Sequence, residues 1–177
     1  MQKIKEFLEG TEYQHFNIEV ASSDASFRRY FRLKKDDKTL VLMDSSLEKS
    51  SLKPFIEVTN LIQSVKLHAP KIIYEDCEKG FLILEDLGST DLLTTLNKDN
   101  MKSLYKKCID EIITMQNIDA KNLPLYDEEF LILEMNLMPQ WFLEKYLQKD
   151  LKKEELETVE KTLSLIAKEV LSHPQDV

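Results

Sequence analysis

A polar segment near the N-terminus carries side chains that could bind a phosphate group. Residues 21–26 place three serines and an aspartate between two strand-like stretches, and Arg28 and Arg29 follow directly. A tight turn between strands presents backbone N–H groups that can hold phosphate oxygens, and an arginine can add a charge-assisted bond. An ordinary hairpin turn with exposed arginines is the alternative. Ser22, Ser23 and Ser26 would add hydroxyl donors, and Arg28 or Arg29 could reach a phosphate oxygen.

A second candidate stretch lies where an apolar run opens into an acidic turn. Residues 81–84 read Phe-Leu-Ile-Leu, which predicts a buried strand, and Glu85, Asp86, Leu87 and Gly88 follow. Gly88 permits a close turn at this point. A ligand could be bound here by backbone groups. A strand end followed by a plain acidic turn is the alternative.

Three polar or aromatic residues in the second half of the chain lie close together in sequence. Glu134 and Asn136 offer a carboxylate and an amide for hydroxyl groups, and Trp141 offers an aromatic face. They lie near Pro139, where a new helix is expected to begin. Packing inside a helical core is the alternative for Trp141.

The elements that must position these residues change character along the chain. Alternating and apolar runs separated by short turns predict five strands before residue 88, and helical spacing dominates after Asp91. In the inserted helix, the spacing of Leu52, Phe55 and Val58 predicts the buried stripe. The predicted elements are a helix at 1–9, strands at 16–20, 27–34 and 39–44, a helix from 50 or 51 to about 64, strands at 71–74 and 81–84, and helices at 99–117, 128–138, from Pro139 onward, and at 153–171.

These elements predict an α+β fold with two parts. Residues 1–88 would form a five-stranded antiparallel sheet plus one inserted helix, because short turns join successive strands. Residues 89–177 would form a helical part.

Composition excludes several classes of function and site. The net charge of −8 disfavours a nucleic-acid or anionic-membrane partner. No apolar run approaches the roughly 18 residues of a membrane span, and the charged N-terminus is unlike a signal peptide, so we expect a cytoplasmic protein. Cys77 and Cys108 lack metal-ligand spacing, and we expect two buried thiols and no metal site.

The motifs together resemble the N-terminal half of a small-molecule kinase of the aminoglycoside phosphotransferase superfamily. The likeness is greatest to its bacterial branch of anomeric N-acetylmuramate/N-acetylglucosamine kinases. It extends over almost the whole chain, and the hairpin and the LEDLG segment are its most specific parts. The stretches that carry it are residues 23–33, 41–44 and 81–88, together with Tyr126, Asp127, Glu134 and residues 141–143.

The resemblance implies a nucleotide site between a kinase-like N-lobe and the first helices of a C-lobe. In such folds the Glu85 carbonyl and the Leu87 amide would bond the adenine edge, and Ile18, Val41 and Leu84 would be apolar walls. It also implies ATP and Mg²⁺ as cofactors. The implied nucleotide-binding residues are Ser23, Asp24, Ser26, Arg28, Val41, Glu85, Asp86 and Leu87, and the implied substrate-binding residues are Glu134, Asn136 and Trp141.

The chain also departs from the kinase pattern. It has three glycines and no G-x-G-x-x-G loop, which disfavours protein kinases of the usual type. The third strand has Met43 where such kinases have a phosphate-pairing lysine, and Glu57 is expected on the surface rather than in an ion pair. No H-x-D-x-x-x-x-N catalytic loop occurs in the 177 residues. We expect that loop, the catalytic residues and the metal ligands to lie beyond Val177.

Three functions remain open from the sequence. The first is the N-terminal part of an ATP-dependent phosphotransferase, an amino-sugar kinase or a relative acting on choline, aminoglycosides or other small alcohols, with this chain inactive alone. The second is a non-catalytic kinase-like binding module. The third is an α+β domain without a nucleotide site. Apolar helix faces left uncovered would favour self-association.

Overall fold

The computed structural model describes residues 1–22 and 27–174, and the chain divides into two compact units, 1–118 and 119–177. The first unit contains the sheet and the second contains the last helices. The division into functional parts near residue 88 stays a prediction. The elements are α1 Gln2–Leu8, β1 Asn17–Ser22, β2 Arg29–Lys35, β3 Lys38–Asp44, α2 Leu52–Ser64, β4 Ile72–Asp76, β5 Phe81–Glu85, α3 Leu92–Thr95, α4 Met101–Met115, α5 Glu128–Met135, a π-helix Met138–Tyr146, and α6 Lys153–Leu171.

A five-stranded antiparallel sheet organises the first unit, in the order β1-β2-β3-β5-β4. The strands β2 and β3 pair from Arg29 with Asp44 to Lys35 with Lys38, and the turn between them uses Asp36 at a φ of 51°. Aspartate tolerates this left-handed conformation better than most residues. The predicted α+β fold is confirmed.

One face of the sheet packs against the N-terminal helix. From α1, Ile4, Phe7 and Leu8 are buried, as the helical spacing predicts, and Phe7 stacks on Phe81 at 4.6 Å between ring centroids. Alternate residues of the strands complete this cluster, which we call the α1 face. Its strand residues are Phe31, Leu33, Leu40, Leu42, Phe81 and Ile83, with Ile18 packed against them.

The opposite face of the sheet packs against α2, and we call it the α2 face. Met43, Leu52, Leu82 and Leu84 are buried there. The predicted α2 stripe is partly wrong, because Val58 is 44% exposed. Spacing alone fixes a helical face only to within about one residue position. The helix residues that pack here are Leu52, Phe55 and Ile56, and the remaining partly buried residues of the face are Tyr30, Val41 and Ile72.

The helices of the second half follow the predicted order. Asp127 caps α5 by accepting a bond from the Phe130 amide at 2.9 Å, and α6 has the predicted bounds. Pro139 does not open an ordinary α-helix; it lies in the first turn of the π-helix, a form often associated with functional sites. Cys77 is exposed rather than buried, because it lies in the β4–β5 turn. None of the helices in the described part of the chain is long and apolar enough to cross a membrane.

Candidate functional site

The acidic segment, residues 85–88, begins at the last residue of β5. In the strand register Arg32 of β2 lies opposite Val41 of β3, and Val41 lies opposite Leu84 of β5. Val41 and Leu84 share the α2 face, as two walls of one site require. The prediction that Ile18 is a third wall beside Val41 and Leu84 is wrong. Ile18 lies opposite Leu33 and packs on the α1 face, because successive strand residues point to opposite faces.

A buried ion pair ties this acidic segment to β2. The Arg32 Nε donates to Asp86 Oδ2 at 2.7 Å, and Nη2 donates to Asp86 Oδ1 at 3.0 Å. The same Nη2 donates to the Gly88 carbonyl at 3.1 Å. The Asp86 side chain is only 5% exposed and that of Arg32 is 22% exposed. Two parallel bonds fix the relative orientation of the two groups as well as their distance. We call this pair the Arg32–Asp86 clamp.

The clamp is charged on both sides. The bond from Arg32 lowers the pKa of Asp86 and outweighs the opposing effect of burial; the Gly88 amide, at 2.9 Å, and the Thr39 hydroxyl lower it further. The Asp86 carboxylate in turn raises the pKa of Arg32. The segment therefore carries its ion pair at every pH near neutrality.

Glu85 is held from the other side of the segment. Its carboxylate accepts a bond from the Lys71 amide at 3.1 Å and lies 3.2 Å from His68 Nε2. The Lys71 amide, and then His68, lower the pKa of Glu85. Its own amide donates to the Lys71 carbonyl at 2.8 Å. The carboxylates of Glu85 and Asp86 thus both accept bonds from backbone amides, those of Lys71 and Gly88.

The Leu87 amide is left available between these anchors. Within the described residues no group accepts a hydrogen bond from it, whereas the amides of Glu85 and Gly88 both have partners. Gly88 has a φ of 86°, which other residues rarely adopt, so the chain turns sharply just after Leu87. The segment therefore presents a fixed backbone donor three residues after Leu84.

The arginines beside the polar turn have structural partners. Arg28 donates to the Ser51 hydroxyl at 3.2 Å and to its carbonyl at 3.3 Å, and its guanidinium lies 5.6 Å from the Phe55 ring centroid. Arg29 pairs with Asp44 at 2.5 Å. Through Ser51 and Phe55, Arg28 links the start of β2 to α2. The other predicted nucleotide-binding residues of this turn, Ser23, Asp24 and Ser26, lie outside the described residues.

Met43 occupies the position of the kinase lysine as a core residue. It is fully buried with Leu52 and Leu82, so α2 is held to β3 by apolar packing. Glu57 is exposed, as predicted. No ion pair of the kinase type joins β3 to α2.

The predicted sugar residues lie in the second unit. The Tyr126 hydroxyl donates to Glu134, which raises the pKa of Tyr126. Asn136 ends α5, and Trp141 is 64% exposed on the π-helix, so within the described residues it is not a core residue. A cavity of about 370 Å³ lies beside Tyr126, and its other lining residues are Pro124, Leu125, Asp127, Glu129, Phe130 and Leu133.

Arg32 is the residue that reasoning from sequence missed. Three arginines occur within residues 28–32, and nothing in their spacing distinguishes the one that meets Asp86. The only available signal was the pairing of β2 with β3, since it places Arg32 beside Val41.

Comparison with known proteins agrees with this architecture. The model of the phosphotransferase enzyme family matches residues 17–175. An N-acetylmuramate/N-acetylglucosamine kinase of Pseudomonas aeruginosa is 38% identical over 88% of this chain and 46% of its own length. Kinases with the same name from Pseudomonas putida and Neisseria meningitidis are 34% and 32% identical, over 90% and 98% of this chain and 47% and 53% of their own lengths. The chain thus spans about half the length of these curated relatives. It belongs to the phosphotransferase enzyme family.

Proposed function

We propose that this chain provides the nucleotide-binding part of an ATP-dependent kinase that phosphorylates an amino sugar of the N-acetylmuramate or N-acetylglucosamine type. The family and the names of the relatives support the reaction class and the substrate class. The five-stranded sheet, with α1 on one face and α2 on the other, supports the nucleotide-binding role.

The observation that carries the proposal is the Leu87 amide, from which no group in the described part of the chain accepts a hydrogen bond. Adenine needs a donor for its N1 nitrogen, an acceptor for its amino group and apolar surface for its ring faces. The Leu87 N–H is the donor, the Glu85 carbonyl is the proposed acceptor, and Val41 and Leu84 are the apolar surface. Donors held in place before the ligand arrives cost little reorganisation on binding.

The phosphate and sugar contacts extend the same proposal. Ser23, Asp24, Ser26 and Arg28 are proposed for the nucleotide, with the serine hydroxyls and the arginine as the phosphate donors. Glu134, Asn136 and Trp141 are proposed for the sugar: Glu134 already accepts a hydroxyl bond from Tyr126, and Trp141 presents an open aromatic face.

Magnesium is not assigned to residues of this chain. Among the described residues, no group of three or more His, Cys, Asp or Glu side chains could hold a metal ion. When bound with ATP, Mg²⁺ would neutralise phosphate charge.

We also propose that the 177 residues alone transfer no phosphate, because they contain no H-x-D-x-x-x-x-N motif to supply the base and a metal ligand. The test is incubation with MgATP and N-acetylglucosamine or N-acetylmuramate, with phosphosugar measured by mass spectrometry. Turnover above the rate without protein contradicts this part. A non-catalytic binding module remains the second candidate, favoured by the buried Met43 at the lysine position.

Nucleotide binding is tested by titrating the ¹⁵N-labelled chain with MgATP. We expect shifts of the Leu87 and Gly88 amide signals. Leu87→Pro removes the N–H and should weaken binding about fivefold, since one hydrogen bond of this kind contributes on the order of 1 kcal/mol. Leu87→Ala keeps the N–H and should bind as the wild type does. Equal binding by both variants contradicts the proposed contact.

A further inference from the structure

One guanidinium holds both neighbours of Leu87. Arg32 bonds the Asp86 carboxylate at 2.7 and 3.0 Å and the Gly88 carbonyl at 3.1 Å. The Gly88 amide closes the loop by donating to Asp86 Oδ1 at 2.9 Å. Residues 86 and 88 are therefore fixed to the same side chain of β2. The peptide that carries the Leu87 N–H lies between two anchored residues.

The Arg32–Asp86 clamp is suited to fix the orientation of residues 86–88 as well as their position. Arginine presents a rigid planar fork, and a lysine at the same position would supply a single charge without the second parallel bond. Asp86 is nearly buried, which excludes competing water from the pair. Arg32 itself belongs to a regular strand, paired with Glu19 on one side and Val41 on the other. The segment is thus attached to the most regular part of the fold.

A donor with a fixed direction discriminates between purine bases. The N1 nitrogen of adenine accepts a hydrogen bond, whereas N1 of guanine carries a hydrogen and can only donate. A segment free to turn could present a carbonyl to guanine instead. A segment held at residues 86 and 88 presents the N–H, and a site that leaves its polar group unpaired rejects the wrong ligand.

We propose that Arg32 and Asp86 are specificity-determining positioning residues that make this site select adenine over guanine nucleotides. The inference rests on the proposed nucleotide function. It adds a role for a β2 arginine that touches the backbone of the segment rather than the nucleotide.

The experiment compares the affinities of the 177-residue chain for MgATP and MgGTP by the same ¹⁵N titration. We expect the wild type to prefer ATP by at least about tenfold, and Arg32→Lys and Arg32→Gln to reduce that preference to within about threefold. Lys34→Gln is the matched control. It removes one positive charge two residues along the same strand and the same face, from an exposed pair with Glu19 at 2.7 Å. Its preference should equal that of the wild type.

Each outcome decides something. If ATP binding persists and the preference is the same in the Arg32 variants and the wild type, the clamp has no role in selectivity and the proposed function stands. A wild type that binds both nucleotides equally also overturns the inference alone. A wild type with no nucleotide-dependent shift overturns the proposed function and the inference together. The signals of β2 and β3 report folding, and if Arg32→Gln does not fold, Arg32→Lys and Asp86→Asn provide the comparison.

Discussion

Strand β2 carries two arginine–aspartate pairs that differ in what they hold. Near its start, Arg29 pairs with Asp44, which is 1% exposed and lies directly opposite in the register. Farther along, Arg32 pairs with Asp86, which lies outside the strands. The first pair joins two neighbouring strands. The second reaches from the sheet to a segment that regular strand pairing does not hold.

The environments of the two carboxylates teach how the same chemistry serves two purposes. Burial by itself would raise the pKa of Asp44, but bonds from Ser46 and Arg29 outweigh it and lower the pKa. For Asp86 the bond from Arg32 is the largest influence. Asp44 therefore depends on local backbone as well as its arginine. Asp86 depends chiefly on the arginine, so the position of its segment does too.

The largest effect should come from breaking the pair at the start of β2. In Arg29→Met the Asp44 carboxylate, which is 1% exposed, loses its counter-ion but keeps the bond from the Ser46 amide. Because the Arg29 side chain is 47% exposed, solvent screens part of the pair, and we expect a loss of about 2 kcal/mol. Urea unfolding followed by circular dichroism measures this. Arg29→Lys keeps the charge and should lose less. A loss below that of Arg32→Met would reverse the comparison.

Breaking the clamp should destabilise the protein less and act locally. Arg32→Met leaves Asp86 bonded to the Gly88 amide and to Thr39, so we expect a loss of about 1–2 kcal/mol. Hydrogen exchange of the Gly88 amide should accelerate at the same time, with the β2–β3 amides little changed. Uniform acceleration across the sheet would show that the clamp is a global support.

Acid should remove the contribution of the clamp. A carboxyl whose pKa is lower in the folded state stabilises it above the unfolded pKa of about 4, and this contribution disappears as the pH falls through the folded value. Asp86→Asn should therefore be less stable than the wild type at pH 7, and the difference should shrink steadily below pH about 4. Urea unfolding at several pH values tests this. A difference that stays constant with pH contradicts a charged clamp.

The smallest effect is expected from the exposed pair on the same strand. Lys34 and Glu19 are 2.7 Å apart, but their side chains are 40% and 55% exposed. Lys34→Gln should stay within about 0.5 kcal/mol of the wild type, because solvent screens such pairs. Equal losses for Lys34→Gln and Arg32→Met would mean that burial is not what separates these pairs.

Local pattern was sufficient to predict most of the elements and insufficient to predict all of their faces. The 153–171 helix and the 81–84 strand follow from periodicity within each segment. Ile18 was grouped with Val41 and Leu84 as a wall, but its pairing with Leu33 places it on the opposite face of the sheet. The π-helix was missed because the sequence around Pro139 satisfies the rules for an ordinary helix start.

The candidate site was predictable only where it consists of main chain. The acidic segment after β5 was recognised from its sequence, because a strand end and a glycine mark it locally. Arg32 and Asp86 are separated by most of the sheet in sequence, and only the strand order brings them together. Sequence therefore indicated the acidic segment as a candidate, but not which side chain holds its backbone in place.

The methionine at position 43 has a consequence for how α2 is held against β3. Salt and competing anions would weaken a lysine–glutamate ion pair. The packing of Met43 against Leu52 and Leu82 depends instead on the volumes of these side chains. Substitutions that make one of these side chains smaller or larger should therefore shift α2 slightly, whereas added salt should not change its position. A compound that reacts with the lysine amine of the kinase pattern would have no target at position 43, where the side chain is a thioether.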